Sequence, residues 1–129
     1  GLSKWITTGQ APPPSPRLEY ANGKVVRDTN GNAVGGIRLP QMDAATATNN
    51  YNNYGSIGAG GNFFVNAFAC PFLGNTVPFS KAKLQTLYPT HQDYVEKFTA
   101  AADAALNTGF LVQADYDEAV AQAQAAEVP

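Results

Sequence analysis

The chain has 129 residues and a net charge of −2, enough length for one domain with a usable core. Charged residues make up only 14% of it, against roughly 25% in ordinary soluble domains, so much of its surface is uncharged. Either part of that surface faces another polypeptide, or asparagine, glycine and serine supply neutral polar cover. Residues 1–89 carry seven Lys/Arg against three Asp/Glu, and residues 90–129 carry Lys97 alone against seven acids. The basic residues are scattered, which excludes a nucleic-acid stripe. No run reaches the ~20 apolar residues of a membrane span, and the single Cys70 excludes an internal disulfide or a cysteine zinc cage.

In chain order, Leu2, Trp5 and Ile6 have helical spacing and Gly9 stands at a helix stop, as in the last turns of a helix that begins upstream. Pro12-Pro13-Pro14 and Pro16 then force an extended path. Two short β-prone segments, Arg17 to Tyr20 and Lys24 to Arg27, flank Asn22-Gly23, a strong hairpin signal. Asn30-Gly31 follows as a second turn, giving a compact ribbon from Leu18 to Leu39. Within it, Gly35-Gly36 lacks Cβ atoms and admits a closely approaching backbone or ligand. Beside the pair stands Arg38, whose fork geometry suits a carboxylate or backbone carbonyls, as a loop anchor or as a substrate-binding group.

The stretch Gln41 to Asn62 has no periodicity and reads as a loop of some twenty residues, an uncommon feature in compact domains. Phe63-Phe64-Val65 and Phe68 form a dense apolar block, and Gly74 to Phe79 reads as a further loop. The pattern then becomes helical. Ser80 caps a helix that Pro89 stops, and Thr90 with Asp93 forms a capping box for the next. Tyr94, Val95, Phe98, Ala102, Ala105 and Leu106 supply that helix's apolar stripe, with Gly109 at its stop. A last helix spans about Ala114 to Ala126, with Asp115, Asp117 and Glu118 at its favourable N-terminus. The fold class expected is α+β: an irregular, β-ribbon-containing first half (1–79) followed by about three helices (80–129), as one segment.

Catalytic residues are hard to find. None of the four serines, Ser3, Ser15, Ser56 and Ser80, stands in a Gly-x-Ser-x-Gly elbow, although Gly55-Ser56-Ile57-Gly58 comes nearest. The only histidine, His91, opens a capped helix with no orienting partner in view. Gly58-Ala59-Gly60-Gly61 lacks the Lys-Ser/Thr of a phosphate loop. No catalytic residue, metal site or cofactor is expected within the chain.

Several motifs, in order, carry a resemblance. They are Leu2-x-x-Trp5-x-x-x-Gly9-x-x-Pro12-Pro13-x-Ser15, then Asn32-x-x-Gly35-Gly36-Ile37-Arg38-Leu39-Pro40, then Cys70-x-x-Leu73-Gly74. Pro78-Phe79, Leu84-x-x-Leu87-Tyr88-Pro89, His91-x-x-Tyr94-Val95 and a closing helix after Gly109-Phe110-Leu111 follow. Read together they resemble the C-terminal part of α/β-hydrolase-domain proteins, a family associated with esterase- or lipase-like hydrolysis. One local departure is the absence of a proline after Gln41-Met42-Asp43.

The resemblance implies that this chain is a C-terminal segment of such a hydrolase. The nucleophile elbow and catalytic histidine would lie upstream of Trp5, and this segment would shape or cover the active site. Its partner would then be the upstream catalytic segment, contacted through Trp5, the phenylalanine cluster and Arg38, with Gly35 and Gly36 beside that boundary; a homo-oligomer is the other association in view. The opening Gly1, without a methionine, fits a mature or cut terminus, with a secreted or periplasmic location in view. The rival reading is a non-catalytic binding or self-assembling structural module.

Overall fold

A computed structural model describes residues 2–50 and 74–129. The elements run α1 (Leu2–Thr8), β1 (Tyr20–Ala21), β2 (Lys24–Val25), α2 (Pro40–Asp43), β3 (Ala47–Asn50), β4 (Asn75–Pro78), α3 (Lys81–Leu87), α4 (His91–Asn107) and α5 (Gln113–Ala125). The architecture is mixed α+β: two small antiparallel sheets and five helices.

The hairpin forms where Asn22-Gly23 places it. Both residues take the positive φ a tight turn needs, 51° and 72°, and β1 pairs β2 with Tyr20 opposite Val25 and Ala21 opposite Lys24. The chain then turns back on itself. Val26 N–H donates to the Glu19 carbonyl at 2.9 Å, Val34 N–H to the Val26 carbonyl at 2.9 Å, and Glu19 N–H to the Val34 carbonyl at 3.0 Å. Three short extended passes are thereby tied into the ribbon expected between Leu18 and Leu39.

Two loop expectations are corrected. Within Gln41 to Asn62, the described residues contain the end of α2 and all of β3, and Gly74 to Phe79 contains β4. β3 and β4 pair antiparallel over four residues each, from Ala47 opposite Pro78 to Asn50 opposite Asn75. Neither strand has the alternating apolar pattern from which strands are read, because their residues are half-buried or exposed on both faces. Pro78 is tolerated because it closes its strand. Residues 51–73, with Ser56, the glycine run, Phe63, Phe64, Phe68, Phe72 and Cys70, lie outside the described residues.

The helices follow their sequence signals closely. Ser80 accepts from Lys83 N–H at the start of α3, and Thr90 and Asp93 form both halves of the capping box of α4. Hydrogen bonds from Thr90 hold the Asp93 carboxyl below its usual range. Past the end of α4, Gly109 at φ 79° lets its own N–H reach the Leu106 carbonyl and Phe110 N–H reach the Ala105 carbonyl. Together these make a Schellman stop.

The core lies between α4, α5 and α2. Tyr88, Tyr94, Phe98, Ala119, Ala123, Val128 and Ala44 form one buried cluster, flanked by Leu84, Leu87, Val95 and Ala126. Tyr94 stands edge-on to Tyr88, with ring centroids 5.2 Å apart, and stacks obliquely against Phe98 at 5.8 Å, separations favourable for aromatic quadrupoles. Alanines at 102, 105, 119 and 123 are buried, so α4 and α5 approach closely. Tyr88, just past α3, also ties that helix to the link between α2 and β3 by donating its hydroxyl to the Ala45 carbonyl at 2.8 Å. Burial, helped by Tyr94, pushes its phenol up to about 12.

Candidate functional site

Three features of the described residues bear on function: a polar node around Arg38, a cleft beside His91, and an exposed N-terminal helix.

The node is built from the Asp28–Asn32 turn. One carboxylate oxygen of Asp28 accepts N–H groups from Asn30 and Asn32, both at 2.9 Å, and Gly31 N–H returns to the Asp28 carbonyl. This leaves the other Asp28 oxygen facing Arg38 at 3.3 Å. Arg38 spreads its fork across four partners: the Asp43 carboxylate, the Ala33 carbonyl, the Met42 carbonyl at 2.9 Å and the Asp28 carboxylate. Desolvation alone would lower its pKa, but the two carboxylates outweigh it and the net shift is upward. The guanidinium therefore ties the turn, the end of the ribbon and α2 to one another. Its partners are the chain's own carboxylates and carbonyls, the loop-anchoring arrangement of the two roles open to it in the sequence.

Asn32 completes the node and is fully buried, at 0% exposure. Its carboxamide donates to the Ala47 carbonyl at 3.0 Å and accepts from Asn49 N–H at 2.7 Å. The side chain thus takes the place of a strand peptide along the free edge of β3. Thr48 adds a bond to the Asn30 carbonyl at 2.6 Å. A polar group so deeply buried costs stability unless it is fully paired, and Asn32 has partners on both ends of its amide.

Gly35 and Gly36 belong to the same construction. A Cβ on Gly35 would lie 2.5 Å from the Arg17 carbonyl oxygen, and one on Gly36 would lie 2.9 Å from Leu18 Cδ2; both residues have positive φ. The close approach read from the glycine pair is made by the backbone of Arg17 to Glu19, through the Leu18–Gly35 bridge. Arg38, Gly35 and Gly36 are therefore brought together on one ribbon, and they serve its closure.

Trp5 is not brought to them. It stands in α1, 49% exposed, with Leu2 at 68% and Ile6 at 75%. No residue of α1 is buried, and α1 packs on none of the other described helices or strands. Most of the apolar surface of Leu2 and Ile6, and half of that of Trp5, therefore stays in water, so α1 gains little of the stabilisation that burial gives.

The cleft, of about 690 Å³, opens between α3 and the tail beyond α5. Phe79, Leu84, Ala126 and Val128 give it apolar walls, and Lys81, Gln85, His91 and Glu127 give it polar ones. Both ring nitrogens of His91 face carbonyl oxygens, Nδ1 toward Val128 at 3.0 Å and Nε2 toward Gln124 at 3.1 Å. The ring is thus committed to structure on both sides, and its partners are carbonyls where a nucleophile–base pair needs a hydroxyl or thiol. Ser80, the nearest serine in sequence, is occupied in capping α3. Among the described residues, no group of three His, Cys, Asp or Glu is placed to hold a metal ion, and no helix is long and apolar enough to cross a membrane.

Sequence reasoning identified Arg38 and the glycine pair but missed Asn32, Thr48 and the two carbonyls at His91. The Asp28-x-Asn30-x-Asn32 spacing could have flagged a side-chain-closed turn. Nothing local marks Thr48 or the His91 contacts, because their partners lie 18, 37 and 33 residues away.

A small mixed α+β unit, tied by an Asn–Gly–Gly–Arg ribbon and closed by capped helices, is the structural class these observations define. The family model described as Alpha/beta hydrolase domain matches residues 1–121, nearly the whole chain, and the chain belongs to that family. No curated protein and no solved structure matches it.

Proposed function

We propose that this chain is the C-terminal part of an α/β-hydrolase-like ester hydrolase, and that it shapes or covers an active site whose nucleophile and histidine lie on an upstream segment. The observation that carries this reading is the family match over residues 1–121 in a sequence without a Gly-x-Ser-x-Gly elbow. Membership supports acyl transfer by an activated serine as the chemistry, and the sequence lacks the turn that presents such a serine. The commitment of His91 to two carbonyls supports the same division of labour. The exposed apolar side chains of α1 support a docked position, since a helix of this kind is stabilised by a surface that removes it from water.

Ester hydrolysis by the chain alone and in covalent continuity with an elbow-bearing segment of the same family tests the proposal. The expected result is no turnover of a small activated ester by the chain alone, and turnover by the joined protein that is lost when the elbow serine is replaced by alanine. Turnover by the isolated chain that disappears in Ser56→Ala or His91→Ala would place catalysis within these residues and overturn it.

A further inference from the structure

We infer that Asn22, at the tip of the β1–β2 hairpin, is a site of spontaneous deamidation, where the asparagine becomes aspartate or isoaspartate through a cyclic imide. The chain carries two Asn-Gly pairs, Asn22-Gly23 and Asn30-Gly31. The reaction begins when hydroxide removes the proton of the glycine amide nitrogen. That nitrogen attacks the asparagine Cγ, the new C–N bond closes a succinimide ring, and the side-chain nitrogen leaves as ammonia. Water then opens the ring at one carbonyl to give aspartate, or at the other to give isoaspartate. Glycine favours the attack because no Cβ crowds its nitrogen and its backbone turns freely.

The fold separates the two pairs. The Asn30–Gly31 peptide is held on both sides: Gly31 N–H donates to the Asp28 carbonyl at 2.9 Å, and the Asn30 carbonyl accepts from the Thr48 hydroxyl at 2.6 Å. Asn30 N–H is tied as well, to the Asp28 carboxylate at 2.9 Å. Both bonds of this peptide must open before its nitrogen can turn onto the side chain. The Asn22–Gly23 peptide carries no such bond among the described residues. Asn22 and Gly23 are exposed, and nothing lies within 4 Å of the place a Gly23 Cβ would take. Asn22 also holds a φ of 51°, a left-handed conformation that it leaves as its side chain swings toward Gly23. β1 and β2 pair over two residues each, so the tip can open while the Val26–Glu19 and Glu19–Val34 bonds behind it persist.

Either product adds a negative charge at the tip, where Gly23 and Lys24 border a second cleft of about 410 Å³. Isoaspartate does more. The backbone then runs through the former side chain and gains a methylene between Ala21 and Lys24, the pair whose register the two-residue turn sets. The hairpin tip loosens, while the Asp28–Asn32 turn and its bonds to Arg38 and β3 stay as they are.

Incubating the full chain in mildly alkaline heavy-oxygen water, with peptide mapping by mass spectrometry over time, tests the assignment. Asn22 should convert, with solvent oxygen in the product and isoaspartate among the forms. Asn30 should convert about 10-fold more slowly or less, since two hydrogen bonds must open first. In urea strong enough to unfold the chain, the two Asn-Gly pairs should react at comparable rates, because the difference comes from the fold. Asn22 that persists as an amide, equal rates at both pairs in the folded chain, or a preference for Asn22 that survives unchanged in urea overturns the inference.

Discussion

Gly35 shows what the ribbon requires of a single residue. Its φ of +75° is one that L side chains rarely adopt, and its missing Cβ makes room for the Arg17 carbonyl. The two constraints act together, so Gly35→Ala should destabilise the chain by about 2–4 kcal/mol, read as a lower urea midpoint at unchanged slope. A cost under about 0.5 kcal/mol would mean that the Leu18–Gly35 bridge is not made. The glycine pair was visible in the sequence because conformational freedom is a local property. Asn32 was not, since an asparagine beside Asn-Gly reads as turn surface. Only the fold reveals that its amide caps the edge of β3 through Ala47 and Asn49. Arg38 lies between these cases: its fork could be read from the sequence, while its four partners depend on how the turn and α2 meet.

Among the elements, α4 combines the strongest local signals. A capping box, a stripe of Tyr94, Phe98, Ala102 and Ala105, and a Schellman stop at Gly109 all agree. Phe98 is 4% exposed at the centre of the stripe, so Phe98→Ala should cost about 3–5 kcal/mol in chemical denaturation. A loss below about 1 kcal/mol would mean that the ring is not held between α5 and the aromatic neighbours. Helices declare themselves through caps and a repeating stripe within one stretch of chain. β3 and β4 carry no such mark. Each is four residues long, and β3 is fixed by its partner strand and by Asn32 from outside its own sequence. Sequence pattern alone therefore does not distinguish either strand from a loop.

For the whole molecule, the order of the motifs identified the family while no single motif could, and the family model covers residues 1–121. No catalytic motif was legible, because a nucleophile elbow is a short, specific pattern and this sequence does not contain one. The proposed place of the chain within a larger hydrolase has a built-in reporter. Trp5 is the only tryptophan, and it is half-exposed on a helix that meets no other described element. Titrating the chain with an elbow-bearing upstream segment of the same family, while following Trp5 emission, tests the account most directly. The account predicts a saturable blue shift at one-to-one stoichiometry as the indole leaves water, weakened by Ile6→Asp on the same apolar helix. Emission that stays unshifted at saturating segment would contradict it.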